Sequence, residues 1–236
     1  MSLDPTDALR QRADLVSMIA HELRGPITTI KGIAATSRTH FAALSDEDKL
    51  EFLELIEQEA ARMLEVVGQV SLAMKLSAGV LMMQTGPADL AAIVREGVSA
   101  AGLDADRPFE HDLDDITIEG DHARLVEVVR QVIRNAGAYS PPGEPIGVAL
   151  HASGDNAVIE FVDRGPGIPE DKRDHLFTTF PNWRPAGYEE VQGTGLGLFI
   201  SRGIVAEHQG EISIEDAPGG GTMLRIRLPL KGTERG

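Results

Sequence analysis

The stretch Ala157-Val158-Ile159-Glu160-Phe161-Val162-Asp163-Arg164-Gly165-Pro166-Gly167-Ile168 reads as a strand that ends on a carboxylate and runs into a glycine turn. β-Branched and aromatic residues favour the strand. Gly165 and Gly167 permit a tight turn and close approach of a ligand. A carboxylate there can accept a hydrogen bond from an exocyclic amine such as that of adenine. An ordinary Asp-Gly turn has the same look, so the reading depends on what surrounds it.

Upstream, Leu125, Val128, Val129, Val132, Ile133 and Ala136 mark an amphipathic helix over 124–136. Gln131, Asn135 and Tyr139 follow at i, i+4 and i+8, so they are expected on one flank beside the apolar stripe. A neutral amide oxygen can ligate magnesium, and an aromatic ring can cover a base. Downstream, Gly193-Thr194-Gly195-Leu196-Gly197-Leu198 opens a helix expected over 198–208. Free backbone N–H groups at such a helix start suit phosphates. The spacing is not the dinucleotide fingerprint, because the third glycine comes two residues after the second. No lysine follows the glycines, so it is not a Walker loop either. A helix over 89–101 and strands over 145–152, 157–163, 211–215 and 223–230 complete a mixed α and β region from about residue 88.

The first third has another rhythm. Ala13, Val16, Ala20, Leu23, Ile27, Ile30 and Ala34 advance by threes and fours. Leu53, Ile56, Ala60, Met63, Val67, Val70 and Met74 repeat the pattern. Each set is an a/d seam, which predicts a helical hairpin over 6–40 and 46–77. Ser45-Asp46-Glu47-Asp48 supplies the start of the second helix. Narrow seams bury little area alone, so a two-fold partner completing a four-helix bundle is expected. His21 follows the seam residue Ala20 and should be exposed on the flank. Pro26 removes one N–H and should kink the helix near His21. The expected organisation is 7–77 for the hairpin, 78–87 for a Gly/Pro-bearing linker and 88–231 for the α/β domain.

Composition excludes several classes. The 236 residues carry no cysteine, so disulfides and thiolate sites are absent. The formal charge of −15 opposes nucleic-acid binding and makes any nucleotide site a local matter of N–H groups and a cation. No apolar run reaches a membrane span, and the expected location is cytoplasmic, with any membrane attachment through segments absent from this chain.

In order along the chain, these motifs resemble a sensor histidine kinase of two-component signalling, from about Asp7 to Leu230. His21-Glu22-Leu23-Arg24-Gly25-Pro26 is similar to the family's histidine box, and the helix bearing Asn135 to its asparagine box. Asp163 to Ile168, His175 to Phe180 and Gly193 to Leu198 resemble the first glycine, phenylalanine and second glycine boxes. Gly219-Gly220-Gly221-Thr222 resembles a final glycine-threonine motif. The resemblance implies a dimeric four-helix bundle followed by an α/β two-layer sandwich with a mixed sheet. It implies an ATP-dependent protein histidine kinase that phosphorylates His21 and passes the group to an aspartate of a response regulator receiver domain.

The resemblance also assigns roles. Asp163 holds the adenine amine with Thr222 nearby, Tyr139 packs on the base, and Gly165 and Gly167 let it approach. Asn135 ligates Mg2+. Gly193, Thr194, Gly195, Leu196 and Gly197 cradle the phosphates of ATP, under a lid over 169–192. His21 is the nucleophile and Glu22 the general base. A non-catalytic ATP-binding scaffold and an ATPase or serine kinase on a related fold are the competing readings. Three positions depart from the family pattern. Gln131 stands where asparagine is common, implying a looser magnesium site. Ala138 replaces a phosphate-holding Lys or Arg, for which Arg134, Lys172, Arg173 or Arg184 would have to compensate. Gly25 stands where Thr or Asn orients a dephosphorylating water, implying weak or absent phosphatase activity.

Overall fold

The computed structural model describes residues 5–103, 107–178, 183–188, 191 and 193–230, with side chains from Val16 onward. Two compact units divide at Met74 and Lys75. No helix of the described residues is long and apolar enough to cross a membrane.

The first unit is the hairpin. Helix α1 is Pro5–His40, and α2, Asp46–Ser77, continues past the division. Helix α1 runs on through Pro26, as regular helix on both sides. One residue pair on, the Thr28 hydroxyl donates to the Arg24 carbonyl at 2.7 Å. The α2 start is a reciprocal cap. Asp48 N–H donates to Ser45 Oγ at 3.0 Å, and Ser45 N–H donates to Asp48 Oδ2 at 3.1 Å. Of the seam residues, Val16, Ile27, Leu53, Val67 and Met74 are 49–66% exposed in the single hairpin. The hairpin interior is therefore too narrow to cover its own apolar stripe.

The second unit is a two-layer α/β sandwich. A five-stranded sheet runs β2-β4-β5-β7-β6: Phe109–Leu113, Ile146–Ser153, Asn156–Val162, Thr222–Pro229 and Glu211–Asp216. The β2–β4 pair is parallel and the others antiparallel, so the sheet is mixed. Register places Val148, Phe161, Leu224 and Ile214 across one row and Leu150, Ile159, Ile226 and Ile212 across the next. All eight are buried beneath helices α3 (Leu90–Ala100), α4 (His122–Tyr139) and α6 (Gly197–Glu207). The opposite face carries Arg225, which donates to Glu160 at 2.8 Å and pairs with Glu215.

A second, two-stranded sheet pairs β1 (Gly86–Asp89) with β3 (Thr117–Gly120). Gly86 and Pro87, expected within the linker, are thus strand residues. β1, β2 and β3 have no counterpart among the expected strands. They are short and polar, and long-range pairing makes them strands rather than apolar alternation. Between β5 and α6 lie a one-turn helix α5 (Glu170–Arg173) and a 3-10 turn (Asp174–Phe177) that buries Leu176 and Phe177. Phe180, Gln192 and residue 231, which end the expected phenylalanine box, lid and domain, lie outside the described residues.

The β6–β7 turn shows why its glycines matter. Gly221 has φ +97°, and a Cβ there would lie 2.1 Å from the Asp163 carbonyl oxygen. Gly220 has φ +100° but open space around it. Gly221→Ala should therefore destabilise the chain by more than about 3 kcal/mol, and Gly220→Ala by about 1–2 kcal/mol. Urea unfolding of the second unit's transition measures both, and equal costs would refute the steric account.

Candidate nucleotide-binding site

Helix α4 positions the site. Its start is capped by Asp121, whose Oδ1 accepts the Arg124 N–H at 3.1 Å. Asp121 Oδ2 accepts the Gln84 N–H at 2.7 Å, tying the segment after α2 to this helix. The Asp121 N–H donates to His208 Nε2 at 2.8 Å, and His208 Nδ1 lies 2.8 Å from the Ile204 carbonyl. That pairing fixes the His208 ring with Nδ1 protonated. His208, given no role from sequence, is a buried link between the start of α4 and the end of α6.

At the other end of α4 sits the carboxylate. Asp163 Oδ1 accepts the Gly165 N–H at 2.8 Å and the Thr222 N–H at 2.9 Å. The Asp163 N–H in turn donates to the Thr222 carbonyl at 2.9 Å. Ser140 Oγ accepts the Arg164 N–H at 3.2 Å, which joins the turn to the end of α4. A Cβ on Gly165 would lie 2.8 Å from the Tyr139 carbonyl, so only glycine fits. Gly167 adopts φ +75°, which also favours glycine. Asp163, Gly165, Gly167, Tyr139 and Thr222 are therefore gathered around one turn. The Tyr139 ring packs on Tyr188 with centroids 5.6 Å apart. Tyr188 was missed in the sequence because a lone tyrosine in a long loop has no periodicity.

Burial pushes the Asp163 carboxyl above the usual carboxylate range. The Gly165 and Thr222 N–H groups, the Thr222 hydroxyl and Arg164 oppose the shift. A carboxyl raised on folding holds more protons folded than unfolded between the two values. Its contribution to stability thus falls as pH rises through that window, and at neutral pH the buried charge is unfavourable.

The glycine loop 193–197 leads into α6. Thr194 and Leu196 are buried, and Thr194 Oγ1 accepts the Leu196 N–H at 3.2 Å. Their side chains anchor the loop, while Gly195 takes φ +68°. Among the described residues no side chain caps α6, so its first N–H groups lack a capping acceptor. Gln131 departs from the expected flank. It is buried, its Nε2 donates to Glu127 at 2.7 Å, and a Cβ on Gly197 would strike its Oε1 at 2.8 Å. Its longer stem reaches across to α6 and makes it a packing residue. Asn135 is half-buried one turn later, with no side-chain hydrogen bond among the described residues, and is an oxygen donor of the kind magnesium accepts. Of the expected compensating cations, Arg173 is engaged by Asp216 at 2.6 Å and the Ile168 carbonyl at 3.0 Å. Lys172 pairs with Asp171 at 2.7 Å. Arg184 reaches the glycine loop itself, 3.4 Å from the Gly193 carbonyl.

A half-buried carboxylate beside a glycine turn and a glycine-led helix start thus lie on one α/β unit. The family model for "Histidine kinase-, DNA gyrase B-, and HSP90-like ATPase" matches residues 120–232, and that for "His Kinase A (phospho-acceptor) domain" matches residues 11–79. The solved mycobacterial sensor histidine kinase MprB is 30% identical, aligning 62% of this chain with 97% of that chain at a TM-score of 0.55. The chain belongs to the sensor histidine kinases. Its fold over both units is also that of Acinetobacter baumannii histidine kinase AdeS, at 23% identity and a TM-score of 0.65, covering 89% of this chain and 98% of that chain. Sensor protein KdpD of Mycobacterium tuberculosis is 30% identical over 224 residues, which are 92% of this chain and 26% of KdpD. The chain thus spans about a quarter of that relative's length.

Asp163→Asn can keep both N–H bonds at Oδ1 only by turning its NH2 toward the position of the second carboxylate oxygen. The variant should therefore fold within about 1 kcal/mol of the natural chain at neutral pH, while adenosine affinity falls at least about tenfold. Calorimetric titration with adenosine, which carries no phosphate, tests the base contact alone; unchanged affinity would remove Asp163 from the site.

Proposed function

We propose that this chain is the kinase core of a two-component sensor, and that it transfers the γ-phosphoryl group of ATP to His21. The observation that carries this reading is the pairing of an exposed His21 on α1 with the Asp163 turn on a separate nucleotide-binding unit. Neither feature alone accounts for the other.

Adenine recognition falls to Asp163 and Thr222, with Tyr139 against the ring and Gly165 and Gly167 leaving room. The phosphates lie on the backbone of Gly193, Thr194, Gly195, Leu196 and Gly197 at the start of α6, where N–H groups favour anions. Asn135 would hold Mg2+, which neutralises phosphate charge when bound. Arg184 stands near that loop as the basic residue in place of the one absent at Ala138. In the transfer, one ring nitrogen of His21 forms a bond to the γ-phosphorus as the bond to the bridging oxygen breaks. ADP leaves with that electron pair. Glu22 accepts the proton of the other ring nitrogen. The two units must meet at His21, within one chain or between two.

The exposed apolar residues Val16, Ile27, Leu53, Val67 and Met74 support a homodimer through the hairpin. The onward step gives the phosphoryl group to an aspartate of a receiver domain. The domain limits 7–77, 78–87 and 88–231 describe this division of labour.

With γ-labelled ATP and magnesium the chain should acquire acid-labile, base-stable label that His21→Gln abolishes. Label surviving the substitution would move the acceptor elsewhere. Gly25 has nothing within 4 Å of a Cβ position, so a side chain fits there. Gly25→Thr should raise dephosphorylation of the cognate receiver at least about tenfold, a barrier lower by about 1.4 kcal/mol. Strong phosphatase activity in the natural chain would contradict the assignment of that position.

A further inference from the structure

His21 and Glu22 are neighbours in sequence but point to different surroundings. The His21 residue is exposed, whereas the Glu22 side chain is 14% exposed and turned into the hairpin. Glu22 Oε2 lies 3.8 Å from Arg62 Nη2 of α2, close enough for an ion pair and too far for a hydrogen bond. Among the described residues no hydrogen bond joins Glu22 to His21. One turn before Arg62, Glu59 has its Oε2 buried and, among the described residues, without a hydrogen-bond partner. Residues three apart on a helix are neighbours, so Arg62 has Glu59 and Glu65 one turn away on α2 and Glu22 opposite it on α1. Its loose pairing with Glu22 leaves that carboxylate facing α2, and Glu59 has an oxygen whose burial costs stability until a donor reaches it.

We propose that Arg62 is a positioning residue that holds Glu22 away from His21, and that its exchange onto Glu59 frees Glu22 to accept the His21 ring proton. The proposal rests on His21 as the phosphoacceptor. Helix α2 also leads into the linker, so a shift of α2 along α1 changes which carboxylate Arg62 meets. Because a partly exposed ion pair is weak, the restraint is a gate of modest height rather than an on-off switch.

The test is autophosphorylation of the full chain with γ-labelled ATP and magnesium, with kcat and KM for ATP measured separately. Arg62→Ala should raise kcat about fivefold, equivalent to about 1 kcal/mol, and leave KM unchanged. Arg62→Lys keeps the charge and should hold kcat within about twofold of the natural chain. In a Glu22→Gln background Arg62→Ala should change nothing, because the group it acts through is gone. Glu59→Gln should lower kcat by about twofold, since Arg62 then stays with Glu22. An unchanged or lower kcat in Arg62→Ala overturns the proposal. So does an equal rise in Arg62→Lys or in the Glu22→Gln background, or an unchanged or higher kcat in Glu59→Gln. Failure of the His21 assignment reads differently: the natural chain would then carry no label that His21→Gln removes.

Discussion

The nucleotide-binding unit depends on one carboxylate oxygen. Asp163 Oδ1 receives N–H groups from its own turn at Gly165 and from the start of β7 at Thr222. The two glycine-rich turns are thereby closed against each other, and the missing side chain of Gly221 lets the backbones meet. A half-buried charge is unfavourable by itself, and two N–H donors are what make it tolerable. The same desolvation leaves a strong acceptor in a place where water competes poorly for it. In the proposed function, recognition of a base and closure of the fold are served by one group.

Helix α4 carries the consequences from end to end. Its cap Asp121 binds Gln84 of the segment after α2, and the same residue's N–H meets His208 of α6. Its buried Gln131 sits against Gly197, where the phosphate loop becomes helix. Its last turn holds the Asp163 turn through Ser140. The segment after α2, the glycine loop and the Asp163 turn are thus all joined to one helix. A Cβ on Gly203 of α6 would lie 2.8 Å from Leu76, so the end of α2 beyond Met74 packs within this unit.

The hairpin obeys a different constraint. Its seams satisfy the heptad rule but leave large apolar side chains exposed when one chain is considered. Placing charge beside such a seam has consequences: Glu22, Arg62 and Glu59 lie where helix-to-helix register decides which of them pair. Gly25 and Pro26 fall in the same turn, so the chemistry and the weakest helix-forming residues of α1 coincide.

Much of this was legible in the sequence. The limits of α1 and α2, the Ser45 cap, the amphipathic α4 and the alternation in β5 and β7 are local or periodic properties, and side-chain chemistry alone dictates them. Asp163, its glycines and the glycine loop were legible because glycine at tight turns leaves a mark in composition. The sequence did not reveal the short strands β1, β2 and β3, since their stability comes from partners far along the chain. Nor did it reveal that Gln131 turns inward, that Tyr188 packs on Tyr139, that Arg173 is spent on Asp216, or that Arg62 faces Glu22. A residue's partner across helices and sheets depends on register and close packing, which no local pattern encodes. The sequence by itself determined the long periodic elements and the chemical groups available; tertiary structure alone decided the short strands and which groups meet, because contacts between distant residues arise only when the whole core packs.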